Sequence, residues 1–186
     1  AVGARRLALN DVAPAERAVQ IFGLHIAALD IRQNSEFHDA ALGQLLTAAG
    51  LEGSDFAKWG EERRLDFLNQ ELQSPRPFAP RKAELGKEAS AVLSCYQVLA
   101  NHVDRFGTEG LGSLIISMTR SLSDLLVVYV LAREVGLVRR SSQGLICELP
   151  VVPLFETIED LENAPEILEA FLEHPITKRS LARQEE

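Results

Sequence analysis

The stretch LGSLIISMTRSLSDLLVVYVLAREVGL, residues 111–137, contains the pattern that decides the fold. Its near-continuous apolar run from Leu111 to Arg120 is typical of a strand buried on both faces. Ser121 or Ser123 can then cap a helix that Gly136 ends. That helix is apolar nearly all round, so we expect it to be buried on several sides. A buried strand followed directly by a buried helix predicts a parallel β/α unit.

Two other segments have the same apolar character and are also predicted as strands, Phe22–Arg32 (FGLHIAALDIR) and Ile146–Glu156 (ICELPVVPLFE). None of the three strands alternates apolar and polar residues, so we expect a parallel sheet covered on both sides. Parallel strands joined by helical crossovers imply a doubly wound sheet or part of an α/β barrel. Three strands cannot close a barrel, so a barrel would need strands from sequence outside this chain.

Helix start signals follow both of these strands. After the first, Asn34 or Ser35 can cap a helix over Glu36–Ala49. After the third, the sequence TIED at 157–160 resembles a capping box with Asp in place of Glu. A further helix is predicted to begin near Asn163–Pro165, because proline is best tolerated in the first turn of a helix.

The region from about residue 54 to residue 106, between the first and second strands, is predicted to be a helical insertion. One apolar stripe at helical spacing precedes a proline-rich linker at 74–80, and a longer stripe follows it. The two stripes consist of Leu65, Leu68 and Leu72, and of Ala89, Val92, Leu93, Tyr96, Leu99, Ala100 and Val103. We therefore expect the whole chain, residues 1–186, to be a single segment of one α/β domain.

Composition excludes several classes of protein. The net charge is -8 and the pI about 5.1, and no Lys/Arg stripe follows any predicted helix, which argues against nucleic-acid binding. No apolar run approaches the length of a membrane span. Cys95 and Cys147 give no disulfide framework, which favours a reducing compartment. Because the chain lacks an initiator Met and ends in charged residues, we expect it to be a piece of a longer protein.

Charged residues stand at the carboxyl ends of the predicted strands, where the chemistry of parallel α/β folds gathers. Arg32 ends the first strand, Thr119 or Arg120 the second, and Glu156 the third. A guanidinium holds phosphate or carboxylate through paired charge-assisted hydrogen bonds. Mg²⁺ typically binds through one or two carboxylates and the substrate. The pattern therefore predicts a metal-assisted site for a small, phosphorylated anion.

Each of these residues also has a purely structural interpretation. Arg32 could pair with Asp30 or with an acid of a neighbouring strand, and Arg120 could form a similar ion pair. Glu156 could merely favour the positive end of the helix that follows it. The four histidines show no metal-binding spacing and are expected to be packing or surface residues. They are His25, His38, His102 and His174.

Three phrases of the sequence, in this order and spacing, closely resemble the middle of phosphoenolpyruvate carboxylase. They are FGLHIAALDIRQNSEFHDAALGQLL, LGSLIISMTRSLSDLLVVYVLAREVGL and LPVVPLFETIEDLENAPEILEAFL. The resemblance runs from about Phe22 to the C-terminal end. It implies an enzyme that joins bicarbonate to phosphoenolpyruvate, giving oxaloacetate and phosphate, with Mg²⁺ or Mn²⁺. It also implies a helix-rich, eight-stranded (β/α) TIM-type barrel, usually assembled as a homotetramer in the cytoplasm.

The resemblance also implies roles for individual residues. Arg32 and Gln33, in the phrase LDIRQ, match positions that bind the anionic substrates, and Arg32 would take part in catalysis. Glu156, in the phrase PLFET, matches the glutamate that ligates the metal. No catalytic role passes to Arg120, and Leu122 stands where the family often has proline.

The family's remaining site residues lie outside the matching phrases. Its catalytic histidine lies N-terminal to them, and its second metal carboxylate, a lysine and an arginine loop lie C-terminal. We therefore expect this chain alone to be inactive, and its exposed strand edges to cause self-association. The rival interpretation is a non-catalytic α/β scaffold or binding module derived from the same fold.

Overall fold

The computed structural model describes residues 3–23, 25–78 and 84–184. The chain is a mixed α/β structure, mostly helical, with a three-stranded parallel sheet and a separate two-stranded hairpin. In chain order the elements are α1 (Arg5–Leu7), a π-helical stretch (Ala8–Val12), α2 (Ala13–Phe22), β1 (Leu29–Asn34), α3 (Ser35–Ala48), a 3-10 turn (Phe56–Lys58), α4 (Glu61–Glu71), α5 (Lys87–Phe106), β2 (Leu111–Ser117), α6 (Leu122–Glu134), β3 (Val138–Ser141), β4 (Gly144–Cys147), β5 (Val151–Pro153), α7 (Ile158–Glu173) and α8 (Pro175–Gln184).

The parallel sheet has the strand order β1-β2-β5, with one strand from each of the three predicted strand segments. Alternate residues of a strand face opposite sides of the sheet. The side that packs under α3 and α6 carries the almost fully buried residues Leu114, Ile116 and Val151. Arg32, Ile115 and Val152 pair across the other side, where Val152 is 39% exposed. Within the described ranges helices therefore cover one side of the sheet, and the expectation of two covered sides is wrong for this part of the chain.

The first predicted strand, Phe22–Arg32, is wrong over its N-terminal half. Helix α2 continues to Phe22 and ends at Gly23, which has a φ of +56°. Ile26 has a φ of +67°, a left-handed conformation that an extended strand excludes. Strand β1 therefore begins only at Leu29. A continuous apolar run did not distinguish the end of a helix from the start of a strand.

The other two predicted strands are also longer than the strands observed. Strand β2 ends at Ser117, because Met118 has a φ of +55°. The third prediction, Ile146–Glu156, merges two strands: β4 pairs antiparallel with β3, and only β5 joins the parallel sheet. Pro150 lies between them and lacks the N–H that a continuous ladder needs.

Three predicted helices are confirmed, with starts close to those predicted. Asn34 caps α3 by accepting a hydrogen bond from the backbone N–H of Glu36. Ser121 is the cap residue of α6, and Gly136 follows that helix with a φ of +84°. The predicted capping box is present at the start of α7, since Thr157 and Asp160 each accept the other's backbone N–H.

The separate helix predicted to begin near Asn163–Pro165 is wrong, because α7 runs without interruption through Pro165 to Glu173. Proline inside a helix removes one backbone hydrogen bond, here to the carbonyl of Leu161. Both residues are exposed, so water can satisfy that carbonyl. The capping box at Thr157 thus starts one long helix.

The region 54–106 contains α4 and α5, as predicted, and both helices pack on the sheet-covering helices. Helix α5 packs against α3, and α4 packs against α6. Leu68, Tyr96 and the other central residues of the two predicted stripes are buried, while Leu65, Leu93 and Val103 are partly buried. The predicted linker at 74–80 is irregular up to Phe78, and residues 79 and 80 lie outside the described ranges.

Helix α6 is the centre of the core. All residues from Leu125 to Ala132 are at most 2% exposed, which confirms that this helix is buried on several sides. In the described part of the chain, none of the helices is both long enough and apolar enough to span a lipid bilayer.

Candidate functional site

The structure brings Arg32 and Glu156 together at the carboxyl ends of the parallel strands. Arg32 lies near the end of β1, and Glu156 follows β5 by three residues. The Nη2 of Arg32 donates to Oε1 of Glu156 at 2.7 Å. The side chains are 57% and 31% exposed, so this ion pair stands at an open edge of the sheet. The predicted meeting of these two residues at one rim is confirmed.

Glu156 is held there by the extension of β5. The backbone N–H of Leu154 donates to the carbonyl of Ile116 at 2.9 Å, and the N–H of Thr119 donates to the carbonyl of Leu154 at 3.1 Å. The hydroxyl of Thr119 also donates to the Ile116 carbonyl. These bonds tie the chain after β5 to the end of β2, so the position of Glu156 is determined by the sheet itself.

The second oxygen of Glu156 accepts a hydrogen bond that the sequence did not predict. Its donor is the backbone N–H of Met118, 2.9 Å from Oε2. The carbonyl of Met118 in turn accepts from the hydroxyl of Ser35 at 2.7 Å. Neither Ser35 nor Met118 carries a sequence signal for this role, because the left-handed conformation of Met118 is not encoded in its residue type.

Gln33 is not brought to this pair. It lies opposite Ile116 in the register, on the helix-covered side of the sheet, whereas Arg32 lies opposite Ile115 on the open side. The side-chain oxygen of Gln33 accepts from the backbone N–H of Asn34 at 2.9 Å. Substrate binding by Gln33 stays a prediction, and its amide would have to leave Asn34 to take part.

Asp30 does not pair with Arg32. Its carboxylate accepts the backbone N–H of Ser113 at 2.8 Å, where the register between β1 and β2 shifts by one residue. A side chain at Gly112 would clash with this carboxylate. Of the structural interpretations offered for Arg32, pairing with an acid that follows a neighbouring strand is the one observed.

Arg120 forms its ion pairs with a different group of acids, Glu36, Asp39 and Asp124. Its guanidinium lies 3.3 Å from carboxylate oxygens of Asp39 and Asp124 and 3.5 Å from Glu36. Of the two candidates at the end of the second strand, Arg120 therefore pairs with other acids, and the hydroxyl of Thr119 donates to the Ile116 carbonyl, so neither side chain joins Arg32 and Glu156 in the contacts described. The structural ion pair offered as the alternative for Arg120 is observed.

Arg64 of α4 belongs to the same group of charged residues. Its Nη2 donates to Asp39 at 2.5 Å and to Asp124 at 3.0 Å, and all three side chains are at most 8% exposed. Burial raises the pKa of Asp39 to about 6, against the attraction of Arg64. We call Asp39, Arg64 and Asp124, together with the 40% exposed Arg120 at their outer side, the buried ion cluster. It locks α4 to the first turns of α3 and α6, beside the strand ends.

The sequence analysis missed the buried ion cluster, although one signal was present. Asp124 is the sole acid between Leu122 and Arg133, in a helix that is otherwise apolar nearly all round. A carboxylate in such a helix must find a cation, since an unpaired buried charge is strongly unfavourable. The sequence could not identify that cation as Arg64, sixty residues away in a different helix.

His38 is buried next to the same cluster. Its Nε2 lies 3.0 Å from the hydroxyl of Tyr96, and its Nδ1 has no hydrogen-bond partner among the described residues. Burial lowers the pKa of His38 to about 4, although the charge of Asp124 opposes this change. The packing role predicted for this histidine agrees with its position, since it is fully buried in α3.

We expect the ring resonances of His38 to titrate with a midpoint near pH 4 in an NMR titration of the folded protein. In urea the same residue should titrate near 6.5. Between these values the unfolded chain binds more protons, so the stability contributed by neutral His38 is complete above pH 6.5 and is lost as the pH falls towards 4. A midpoint above pH 6 in the folded protein would contradict this.

The strand ends supply some, but not all, of the groups that a divalent metal ion needs. Each oxygen of Glu156 accepts one hydrogen bond and keeps a second acceptor position, so the carboxylate can still ligate a cation. Across residues 3–23, 25–78 and 84–184 no group of three or more His, Cys, Asp and Glu could hold a metal ion. One carboxylate beside one guanidinium fits Mg²⁺ or Mn²⁺ that takes its other ligands from substrate, water or other residues.

The Arg32–Glu156 ion pair is expected to contribute little to stability. Exposed pairs contribute a median of about 0–1 kcal/mol, because water screens them and ordering two side chains costs entropy. Arg32 is more than half exposed and Glu156 about a third. Both side chains are therefore partly accessible from solvent at this rim.

Comparison with known proteins shows which family this chain resembles over its length. The family model for phosphoenolpyruvate carboxylase matches residues 1–186. The phosphoenolpyruvate carboxylase of Roseiflexus castenholzii is 39% identical over 166 residues, covering 89% of this chain and 17% of the relative. That of Mycobacterium avium is 37% identical over 180 residues, covering 97% and 19%, and that of Rhodothermus marinus is 41% identical over 170 residues, covering 88% and 18%. The chain thus spans less than a fifth of the length of these relatives.

Proposed function

Because this chain belongs to the phosphoenolpyruvate carboxylase family, we propose that it forms part of an enzyme that carboxylates phosphoenolpyruvate. The reaction consumes bicarbonate and yields oxaloacetate and phosphate. The observation that carries the proposal is the Arg32–Glu156 contact at the ends of parallel strands, in a chain that the family model matches throughout.

We propose that residues 1–186 are one segment of a larger (β/α) barrel. The chain spans 17–19% of three relatives, which leaves room for further strands in the complete protein. Two features support this. The side of the sheet that carries Arg32, Ile115 and Val152 is not covered by helices of the described chain, and β1 and β5 have unpaired outer edges within it. Helices α4 and α5 would then form an insertion outside the barrel.

In this proposal Glu156 is a ligand of Mg²⁺ or Mn²⁺, and Arg32 binds the anionic substrates. The metal, when bound, supplies positive charge to oxygens that become negative during the reaction. The guanidinium of Arg32 can hold phosphate or carboxylate through two parallel hydrogen bonds. Its present contact with Glu156 at 2.7 Å keeps it beside the metal position. Gln33 remains a substrate-binding candidate as the next residue of β1.

Arg32 would act as a catalytic residue by stabilising negative charge. Attack of bicarbonate on the phosphate gives carboxyphosphate and the enolate of pyruvate, and carboxyphosphate then releases carbon dioxide and phosphate. The enolate carbon forms the new carbon–carbon bond with carbon dioxide, giving oxaloacetate. A fixed guanidinium favours each anionic oxygen along this path, since it needs no reorganisation as charge develops.

We further propose a cytoplasmic homotetramer, as in the family, acting on small molecules rather than on nucleic acid or membranes. The rival proposal is a non-catalytic scaffold or binding module of the same fold. Its supporting observation is that the described residues hold no group of three or more His, Cys, Asp and Glu that could bind a metal ion. The coding sequence beyond Glu186 discriminates between them: a continuation with a Ser-Asp-rich phrase carrying Lys and Gly supports the enzyme, and a stop codon supports the module.

The test is an assay of the complete protein that contains residues 1–186. We expect bicarbonate-dependent conversion of phosphoenolpyruvate to oxaloacetate, measured as NADH oxidation by added malate dehydrogenase, and its loss when EDTA removes divalent ions. The isolated chain of 186 residues should show no activity. Absence of bicarbonate-dependent oxaloacetate formation by the complete, folded protein would overturn the proposal.

A further inference from the structure

We infer that Ser35 is a positioning residue for Glu156, acting through the backbone of Met118. The inference rests on the proposed function, because it assigns a further role within the same site. Ser35 is the first residue of α3 and is fully buried. Met118 directly follows β2 and is 36% exposed. In the contacts described above, neither the Ser35 nor the Met118 side chain touches Glu156. An effect of Ser35 on Glu156 must therefore pass through the backbone of Met118.

The contacts form a closed ring across the three strand ends. Ser35 donates its hydroxyl to the Met118 carbonyl at 2.7 Å, and the Met118 N–H donates to Oε2 of Glu156 at 2.9 Å. Oε1 of Glu156 accepts from Arg32 at 2.7 Å. Arg32 and Ser35 lie three residues apart in the chain, which closes the ring. Each oxygen of Glu156 is thus oriented by a different strand.

The conformation of Met118 makes this ring depend on Ser35. A φ of +55° is unfavourable for a residue with a side chain, because Cβ then crowds the backbone. Such a conformation persists only where the surroundings hold it. Here the Ser35 hydroxyl holds the carbonyl of Met118, and the Leu154 carbonyl holds the next amide, that of Thr119, at 3.1 Å.

Loss of the Ser35 hydroxyl would release one of these two restraints. Met118 could then return to a right-handed or extended conformation, and its N–H would turn away from Glu156. The carboxylate would keep Arg32 as its partner but would rotate more freely about its last torsion. Fewer molecules would present it in the orientation that binds a metal ion, so metal affinity should fall although no ligand has changed.

The experiment compares Ser35→Ala with Ser180→Ala in the complete protein. Ser180 is a matched control, because it is 2% exposed and its hydroxyl donates to Ile176 and accepts from the Cys147 N–H. Two readouts that do not depend on catalysis are Mn²⁺ binding followed by electron paramagnetic resonance and, without metal, hydrogen exchange of the peptide that contains Met118. For S35A we expect about three- to tenfold weaker Mn²⁺ binding and similarly faster exchange, the size of one hydrogen bond. S180A should leave both unchanged.

A second pair of variants tests the positive φ of Met118 directly, by changing the residue at that position. Met118→Val should weaken Mn²⁺ binding as S35A does, because a β-branched residue strongly disfavours a positive φ. Met118→Gly should retain wild-type binding, because glycine adopts that φ readily and keeps the N–H. This pair decides the question if S35A does not fold.

Glu156→Gln serves as the reference in these measurements. If E156Q weakens Mn²⁺ binding while S35A and M118V leave it unchanged, the role of Ser35 is overturned and the proposed metal ligand stands. If E156Q leaves Mn²⁺ binding unchanged, the proposed metal role falls, and the role of Ser35 falls with it.

Discussion

Replacing Glu156 by Gln should lower the Mg²⁺-dependent carboxylation activity of the complete protein by about a hundredfold or more, the scale seen when a metal site loses its orienting or charged groups. Glutamine keeps the shape of glutamate but is uncharged and has only one acceptor oxygen. Glu156 accepts from Arg32 at one oxygen and from the Met118 N–H at the other. The variant therefore loses both the ligand charge and one of these two contacts.

The matched control for this substitution is Glu159→Gln. Glu159 is an exposed carboxylate in the first turn of α7, three residues further along the chain. Its replacement should leave kcat and the half-saturating Mg²⁺ concentration essentially unchanged. The measurement is initial rate against Mg²⁺ concentration for both variants. Full activity of E156Q with the wild-type Mg²⁺ requirement would show that Glu156 is not a metal ligand.

Replacing Arg64 by Met should destabilise the protein by about 3–5 kcal/mol at neutral pH, as expected when one partner of a buried ion pair is removed. The change removes the buried cation that Asp39 and Asp124 share, and it leaves these almost fully buried carboxylates with only the longer, 3.3 Å contacts to the partly exposed Arg120. The measurement is the free energy of unfolding in urea.

The loss in Arg64→Met should be smaller at pH 4 than at pH 7. The pKa of Asp39 is raised to about 6 in the folded protein, above its usual 3.8, and losing the Arg64 charge should raise it further. A carboxyl group whose pKa is raised by folding contributes stability that is complete below 3.8 and is lost as the pH rises through the folded value. At low pH the protonated Asp39 no longer needs the guanidinium.

The neighbouring residue provides the control for this prediction. Arg63 is an exposed residue of the same helix, and its Cζ lies 3.8 Å from the centroid of the half-buried Trp59 ring. Arg63→Met should therefore cost at most about 1 kcal/mol. An Arg64→Met variant as stable as the wild type at pH 7 would show that the buried ion cluster does not hold α4 in place.

The meeting of Arg32 and Glu156 could be predicted from the sequence, for a simple reason. Each apolar run ends in a parallel strand, although β1 occupies only the polar end of its run, Leu29–Asn34, and the carboxyl ends of parallel strands meet at one edge. The caps at Asn34 and Thr157 were equally predictable, because a cap depends on residues within one turn. The roles proposed for Arg32 and Glu156 come from the resemblance of their phrases to the family.

The tertiary structure alone decided what depends on contacts between distant residues or on backbone conformation. The run from Ile146 to Glu156 divides between a hairpin and the parallel sheet, which an apolar pattern cannot express because both kinds of strand are apolar. The buried cation between Asp39 and Asp124 is Arg64, and it arrives there because α4 packs on α6. The left-handed turn at Met118 likewise arises from what surrounds it, because a residue with a side chain adopts that conformation only when neighbouring groups hold it.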